Sequence, residues 1–256
     1  MRAIILAAGE GVRLRPHPLE RPKCLVELRG RALLRWQLSV LEDNSITDIT
    51  IVTGYRADQV EALGYETLNN PDYATTNMVT TLMCAVDHFD GNDDLLVLYG
   101  DIVYEPSVLQ ALCANKHSLS TTIDRQWKRL WTLRSDDPLN DAETLKVDAN
   151  GNIIELGKKT TSYADIQGQY MGLIKVQADF APKLVEIYES LSPDESYDGK
   201  DLRNIYTTSF LQKIIDLGFP LNAAFVDGGW LEVDTADDLE LYNNMSKEKL
   251  DEICRL

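Results

Sequence analysis

The chain has 256 residues, 44% of them hydrophobic, which suits one large α/β domain or a domain with a small lobe. A formal net charge of −16 speaks against a general nucleic-acid binder. No run of about 18 apolar residues occurs, so no membrane span is expected, and the N-terminal apolar run is too short for a signal peptide.

Residues 2–7 read as a first strand, and the chain then enters Gly9-Glu10-Gly11-Val12-Arg13, with Pro22-Lys23 ten residues on. Glycines let backbone N–H groups approach phosphate oxygens closely, Arg supplies a rigid fork of donors and Lys a mobile point charge. This combination suits a polyphosphate. It is neither a P-loop, which needs Gly-Lys-Ser/Thr, nor a dinucleotide fingerprint, because position 14 is Leu14. Residues 1–35 hold eight Lys/Arg (Arg2, Arg13, Arg15, Arg21, Lys23, Arg29, Arg31, Arg35) against three acids, a net +5 that leaves −21 for the remainder. A basic island in an acidic chain fits a local anion site; for Arg29, Arg31 and Arg35 a solvated charged face is the competing reading.

Helical periodicity follows at 32–43, a strand at 48–53, a short helix at 56–63 and a strand at 65–68. Residues 77–88 read as a helix and 94–98 as a buried strand ending at Tyr99-Gly100-Asp101. Pro106 starts a helix to about 115. This alternation predicts a parallel sheet with helices on both faces and ligands at the carboxyl ends of its strands. Beyond 117, residues 118–124 and 144–156 look like an antiparallel excursion turning at Asn150-Gly151. A strand at 168–176, helices at 179–191 and 201–217, short strands at 221–226 and 230–233, and a helical end at 235–255 complete the reading. The cysteines at 24, 84, 113 and 254 have neither zinc nor disulfide-framework spacing, so reduced thiols in a cytoplasmic protein are expected. His17, His88 and His117 are scattered.

Leu6-Ala7-Ala8-Gly9-x-Gly11-x-Arg13-Leu14-x-Pro16, followed by Pro22-Lys23, resembles the signature of the nucleotidyltransferases that activate sugar phosphates and phosphocholine. His17-Pro18 departs from the Leu-Thr often found there. The resemblance covers essentially the whole chain. It implies an α/β, Rossmann-like, mostly parallel mixed sheet flanked by helices, with a small inserted antiparallel acceptor-side lobe. One domain of residues 1–256 is expected, with a nucleotide part to about 116 and an acceptor part from about 117. By the same resemblance Asp101 and Asp234 hold a catalytic Mg2+, with Arg13 and Lys23 assisting. From the residues alone, Asp101 reads equally as a turn former, and Asp234 as the N-cap of the following helix.

Asn77-Met78-Val79-Thr80-Thr81-Leu82 resembles the Thr-Asn-x-x-Ser-Leu stretch of the cytidylyltransferase branch, and Gly54-Tyr55 matches that branch as well. This favours CTP, with Leu6, Ala7, Ala8, Gly9, Gly11, Gly54, Tyr55, Asn77, Thr81 and Leu82 near the nucleotide. Helix capping by Asn77 is the competing reading. For the acceptor the candidates are drawn from Trp127, Lys128, Arg129, Trp131, Arg134, Lys146, Lys158, Lys159, Tyr170 and Trp230. Of these, Trp131, Arg134, Lys146, Lys159, Tyr170 and Trp230 are the expected acceptor contacts. The basic residues at 128, 129 and 134 are expected to repel choline and attract a carboxylate. The strings at 128–134, 141–146 and 154–159 resemble members acting on phosphonates or phosphoglutamine-like compounds. The expected partners are CTP and a small anionic phosphate or phosphonate, with no nucleic acid and no membrane; a homodimer is left open. The alternatives are a hexose-1-phosphate nucleotidyltransferase using UTP or dTTP, and a silent regulatory subunit. The latter is disfavoured because positions 13, 23, 101 and 234 all carry the expected residues.

Overall fold

A computed structural model describes residues 1–14 and 20–256. Arg15, His17 and the His17-Pro18 departure lie outside the described residues. The strands are β1 (Arg2–Ala7), β2 (Glu27–Leu28), β3 (Arg31–Ala32), β4 (Ile49–Thr53), β5 (Glu66–Asn69), β6 (Leu95–Tyr99) and β7 (Ile102–Tyr104). They continue with β8 (Leu119–Asp124), β9 (Glu143–Val147), β10 (Asn152–Lys159), β11 (Gln169–Val176), β12 (Leu221–Val226) and β13 (Trp230–Glu232). The helices are α1 (Leu33–Asp43), α2 (Ala57–Glu61), α3 (Met78–Met83), α4 (Pro106–Ala114), α5 (Trp127–Arg134), α6 (Ala181–Ser190), α7 (Thr207–Asp216), α8 (Ala236–Asn244) and α9 (Lys247–Asp251).

Nine strands form one sheet in the order β5-β4-β1-β6-β11-β8-β12-β10-β9. The β5-β4-β1-β6 half is parallel, whereas β11 runs antiparallel to both β6 and β8. Apolar residues on alternate sides of β1 feed two cores: Ala3, Ile5 and Ala7 join one, Ile4 and Leu6 the other. Buried on both faces, such strands read as continuous apolar runs. The hairpin β9–β10 turns at Gly151 (φ +80°) and pairs through β10 with β12, so the antiparallel excursion extends the main sheet. Among the described residues no helix is long and apolar enough to cross a membrane.

Three helical segments break where the periodicity suggests one helix, the 235–255 end dividing at Met245-Ser246 into α8 and α9. The 77–88 segment is α3 followed by a separate 3-10 turn at Val86–His88. The 201–217 segment begins with a 3-10 turn, and extended Ile205 and Tyr206 then precede α7.

The register positions the site. Ala7 of β1 lies opposite Thr53 of β4, and Leu6 lies opposite Tyr99 of β6. The loops Ala8-Gly9, Gly54-Tyr55 and Gly100-Asp101 therefore leave the sheet side by side, where the chain crosses from one side of β1 to the other. Tyr55 N donates to Ala8 O at 3.0 Å and Gly100 N to Leu6 O at 2.9 Å. No side chain fits at the second contact: a Cβ on Gly100 would lie 2.7 Å from Leu6 O.

Candidate active site

Lys23 stands at the centre of this junction. Its Nζ donates to Asp101 Oδ2 at 2.7 Å and to Asp234 Oδ1 at 2.9 Å, although 78 and 211 residues separate the partners. Arg13 also pairs with Asp234. Burial alone would lower the Lys23 pKa, but Asp101 and Asp234 outweigh it and push it up to about 12. Gly11 (φ +73°) permits this crossing, since a Cβ there would sit 3.0 Å from Lys23 Cβ.

Two short elements bring the carboxylates together. Gln37, buried on α1, donates to Tyr99 O at 2.9 Å and to Ile102 O at 2.8 Å, pinning both sides of the turn that carries Asp101. Strand β13 pairs with β7, Glu232 lies opposite Ile102, and Val233 N donates to Asp101 O at 3.0 Å. That ladder delivers Asp234 to Asp101. The N-cap of α8 is Thr235, in a capping box with Asp238. The N-cap reading of Asp234 is thereby corrected: its neighbour takes the role, and its own carboxylate faces Lys23 and Arg13.

Cavities open on either side of the Lys23 cluster. The smaller, of about 150 Å³, is lined by Leu6, Ala7, Ala8, Gly9, Lys23 and Asp101 from the sheet side, and by Asn77 and Thr81 from α3. Asn70 fixes Thr81 by donating to its hydroxyl at 3.0 Å. Asn77 caps α3, accepting from Met78 N at 2.8 Å, and also lines both cavities, so its capping and lining readings hold together. Leu82 is a correction: it is 4% exposed and packs in the core. Tyr55 meets the edge of Tyr73, and Tyr73, not Tyr55, lines the cavity. Gly54 makes room for that ring, as a Cβ on it would lie 2.6 Å from Tyr73 Cβ.

The larger cavity, of about 270 Å³, holds Arg13, Asp234, Tyr170, Trp131 and Trp230 among its lining residues. Trp230 Nε1 donates to Asp124 Oδ2 at 2.9 Å, which fixes that indole. The expected basic contacts are not there. Arg134, 8% exposed at its side chain, forms a bidentate pair with Asp238 and a 2.7 Å contact with Glu232. Lys146 bonds Glu155 and Asp165 on the hairpin surface, and Lys159 is exposed at the end of β10. Lys128 lies over the Tyr163 ring and Arg129 approaches Glu252, both on the outer side of α5. Four of these basic side chains serve other partners and Lys159 is exposed outside the cavity lining, so the expected carboxylate-attracting wall is corrected accordingly.

The cavity is instead acidic and aromatic, with Asp141, Glu143 and Glu232 beside Tyr99 and Tyr206. Burial raises the Glu143 pKa to about 7, assisted by Asp141 and Asp198. Burial also raises Glu232 to about 7, against the opposing pull of Arg134. Asp141 and Glu143 fall in the 141–146 string that resembles phosphonate- or phosphoglutamine-type members, although neither was among the expected acceptor contacts; no sequence signal marked Glu232. Of the basic island, Arg29 bonds the backbone of Asn243 and Met245 and Arg31 bonds Ser39 and covers Trp36, so both tie down structure.

The donor set suits Mg2+. Asp101 Oδ1 is buried with no hydrogen-bond partner among the described residues, and Asp101 and Asp234 converge on one cation, Lys23. Among the described residues no cluster of three or more metal-ligating side chains exists. Mg2+ typically takes one or two carboxylates and completes its shell with water and substrate phosphates.

Comparison with known proteins agrees with this architecture. Residues 3–147 match the MobA-like NTP transferase domain family. The chain is 40% identical over 250 residues to the CTP:phosphoglutamine cytidylyltransferase of Campylobacter jejuni, covering 94% of this chain and 98% of that one. It is 26% identical over 262 residues to the CMP-5'-(3-aminopropyl)phosphonate synthase of Streptomyces rubellomurinus, covering 93% of this chain and 37% of that longer protein. The fold superposes on the inositol-1-phosphate CTP transferase from T. maritima with a TM-score of 0.71 at 21% identity, covering 100% of this chain and 98% of the other. The chain belongs to the MobA-like NTP transferase family and is a nucleotidyltransferase of its cytidylyltransferase branch.

Proposed function

We propose that this enzyme transfers CMP from CTP to a small phosphate or phosphonate acceptor and releases pyrophosphate, with Mg2+ as cofactor. The observation that carries the reading is the Asp101–Lys23–Asp234 cluster between two cavities, one beside the glycine loop and α3, the other walled by aromatic rings. The smaller cavity takes the nucleotide against the backbone of Ala8 and Gly9, with Asn77 and Thr81 toward the base. The larger takes the acceptor. Asp101 and Asp234 would hold Mg2+, which when bound supplies Lewis-acid neutralisation of phosphate charge.

Lys23 and Arg13 bring positive charge to the point where two anions must meet, and positioned cations there stabilise the charge of departing pyrophosphate. A phosphate monoester is already largely ionised at neutral pH, its second pKa being about 6, so the attacking oxygen needs no general base. The likeness to the C. jejuni enzyme supports an acceptor of phosphoglutamine type, and that to the S. rubellomurinus enzyme a phosphonate.

The test is pyrophosphate release with CTP, Mg2+ and each of phosphoglutamine, phosphocholine, 2-aminoethylphosphonate, 2-hydroxyethylphosphonate and glucose 1-phosphate. Turnover of a non-sugar acceptor with CTP, lost in Asp101→Asn and Asp234→Asn, is expected. Turnover confined to glucose 1-phosphate, or to UTP or dTTP, would overturn the reading.

A further inference from the structure

Asn70 follows directly on β5, is 1% exposed and lines neither cavity, yet its side chain governs two groups that do. Its backbone N–H donates to Thr53 O at 2.8 Å, which anchors it to β4. Its side-chain oxygen accepts from Asp72 N at 3.0 Å. A backbone N–H can only donate, so this bond fixes which end of the amide is oxygen and turns the NH2 end the other way. There Asn70 Nδ2 donates to Thr76 Oγ1 at 3.1 Å and to Thr81 Oγ1 at 3.0 Å. Both hydroxyls line the smaller cavity.

A hydroxyl has one proton and two lone pairs. Thr81 directs its proton to Asn77 O at 3.3 Å, and Thr76 directs its own to Asp72 O at 3.0 Å. Asn70 occupies one lone pair of each, so what each oxygen has left for the cavity is a lone pair. Asn77 is engaged as well: its Oδ1 accepts from Met78 N at 2.8 Å, and its Nδ2 donates to Asn204 O at 3.4 Å. Thr76 and Thr81 thus offer the cavity two acceptors. Their spacing already matches the two hydrogens of one planar amino group, because Asn70 Nδ2 spans them. A pyrimidine with an amino group at C4 presents such a group from the cavity side. A pyrimidine with a carbonyl at C4 sets lone pairs against lone pairs, and its single ring N–H serves only one of the two oxygens.

We infer that Asn70 is a specificity-determining positioning residue. By holding Thr76 and Thr81 as acceptors, it makes the base site select cytosine through both hydrogens of its amino group and reject uracil and thymine. The inference rests on the transfer reading, which seats the nucleotide in the smaller cavity. Asn70 itself touches no substrate.

Calorimetric titration with Mg2+ and no acceptor compares CTP, UTP and the CTP analogue in which hydrogen replaces the 4-amino group. The parent is expected to bind CTP about a hundredfold tighter than either, as two hydrogen bonds of ordinary strength provide. Asn70→Leu, similar in size but without donors, is expected to bring the CTP-to-UTP ratio within a few-fold of one, since the hydroxyls are then free to turn their protons to a carbonyl. Thr76→Val, at a half-buried position, is expected to lose about tenfold of the ratio, and it decides the matter if Asn70→Leu fails to fold. Thr81→Ser, which keeps the hydroxyl, is expected to retain the ratio. A merely structural role for Asn70 would weaken CTP and UTP alike. A ratio unchanged in Asn70→Leu or in Thr76→Val, or equal binding of CTP and the 4-hydrogen analogue by the parent, would overturn the inference even where CMP transfer is observed. The expected ratios without CMP transfer to any acceptor would uphold it and overturn the transfer reading alone.

Discussion

Replacing Arg134 by Met tests whether this residue holds the acidic half of the site together. Its guanidinium donates to Asp238 at 2.8 and 3.2 Å and to Glu232 at 2.7 Å, with only 8% of its side chain exposed. Burial alone would lower its pKa, but Glu232 and Asp238 outweigh it and raise it. Asp238 in turn accepts from Asp234 N at 3.0 Å, so Arg134 reaches the candidate metal carboxylate through one intermediary. Met preserves much of the stem volume and removes the charge, leaving buried Asp238 and half-buried Glu232 uncompensated. Breaking a buried pair in this way costs about 3–5 kcal/mol. For a chain of this size that lowers Tm by roughly 10 °C, readable by thermal unfolding. Displacement of Asp234 should also reduce kcat by about a hundredfold in the pyrophosphate assay, since misplacement by about 1 Å has effects of that order. Arg134→Lys should recover part of both losses, keeping the charge but not the fork. A variant with parental Tm and an effect on acceptor KM alone would refute the reasoning and return Arg134 to the acceptor site.

Further substitutions probe the other links. Lys23→Met removes the cation between Asp101 and Asp234, so Mg2+ is expected to raise the Tm of the variant more than that of the parent, by the linkage of binding to folding; equal shifts would argue against the metal assignment. Gly100→Ala places a Cβ 2.7 Å from Leu6 O and 3.2 Å from Ala7 Cα, backbone atoms that cannot yield cheaply. A loss of about 1–3 kcal/mol, seen in urea denaturation, should accompany a fall in turnover as Asp101 moves. Glu143 gives a pH signature, because its folded pKa of about 7 exceeds the ordinary value of 4.5. The folded state then holds the proton longer than the unfolded state, so this group makes stability fall as pH rises from about 4.5 to about 7 and level off above. Burial and the neighbouring Asp141 and Asp198 set that direction, with Tyr99, Tyr170 and Gln169 in the same wall. Glu143→Gln is accordingly expected to be about 1–3 kcal/mol more stable than the parent at pH 8 and to flatten the profile. A variant less stable at pH 8 would contradict an unpaired Glu143.

Most of the order of strands and helices was legible from chain-local signals, whereas β2, β3, β7 and α5 were not read. Apolar runs at 2–7 and 94–98 predicted buried parallel strands, and Asn150-Gly151 predicted the hairpin. The glycine loop with Arg13 and Lys23, and the aspartates that leave strand ends at 101 and 234, stood out as candidates. These are properties of neighbouring residues: backbone permissiveness, propensity and spacing. The cap of α8 was misassigned to Asp234 because Asp is a good cap; the ladder of β13 on β7 turns Asp234 toward Lys23 and leaves Thr235 for the helix.

Long-range pairing decided the remainder. Arg134 looked like an acceptor ligand beside Trp131, yet its partner Asp238 is 104 residues away. Lys146 faces Glu155 across the hairpin, and Glu143, three residues before it, faces the cavity. Sequence thus determined which charged groups this protein possesses and the type of loop that carries several of them. Only the tertiary structure decided which charges neutralise one another and which are left to a ligand, because that depends on distances between segments that the order of residues does not contain.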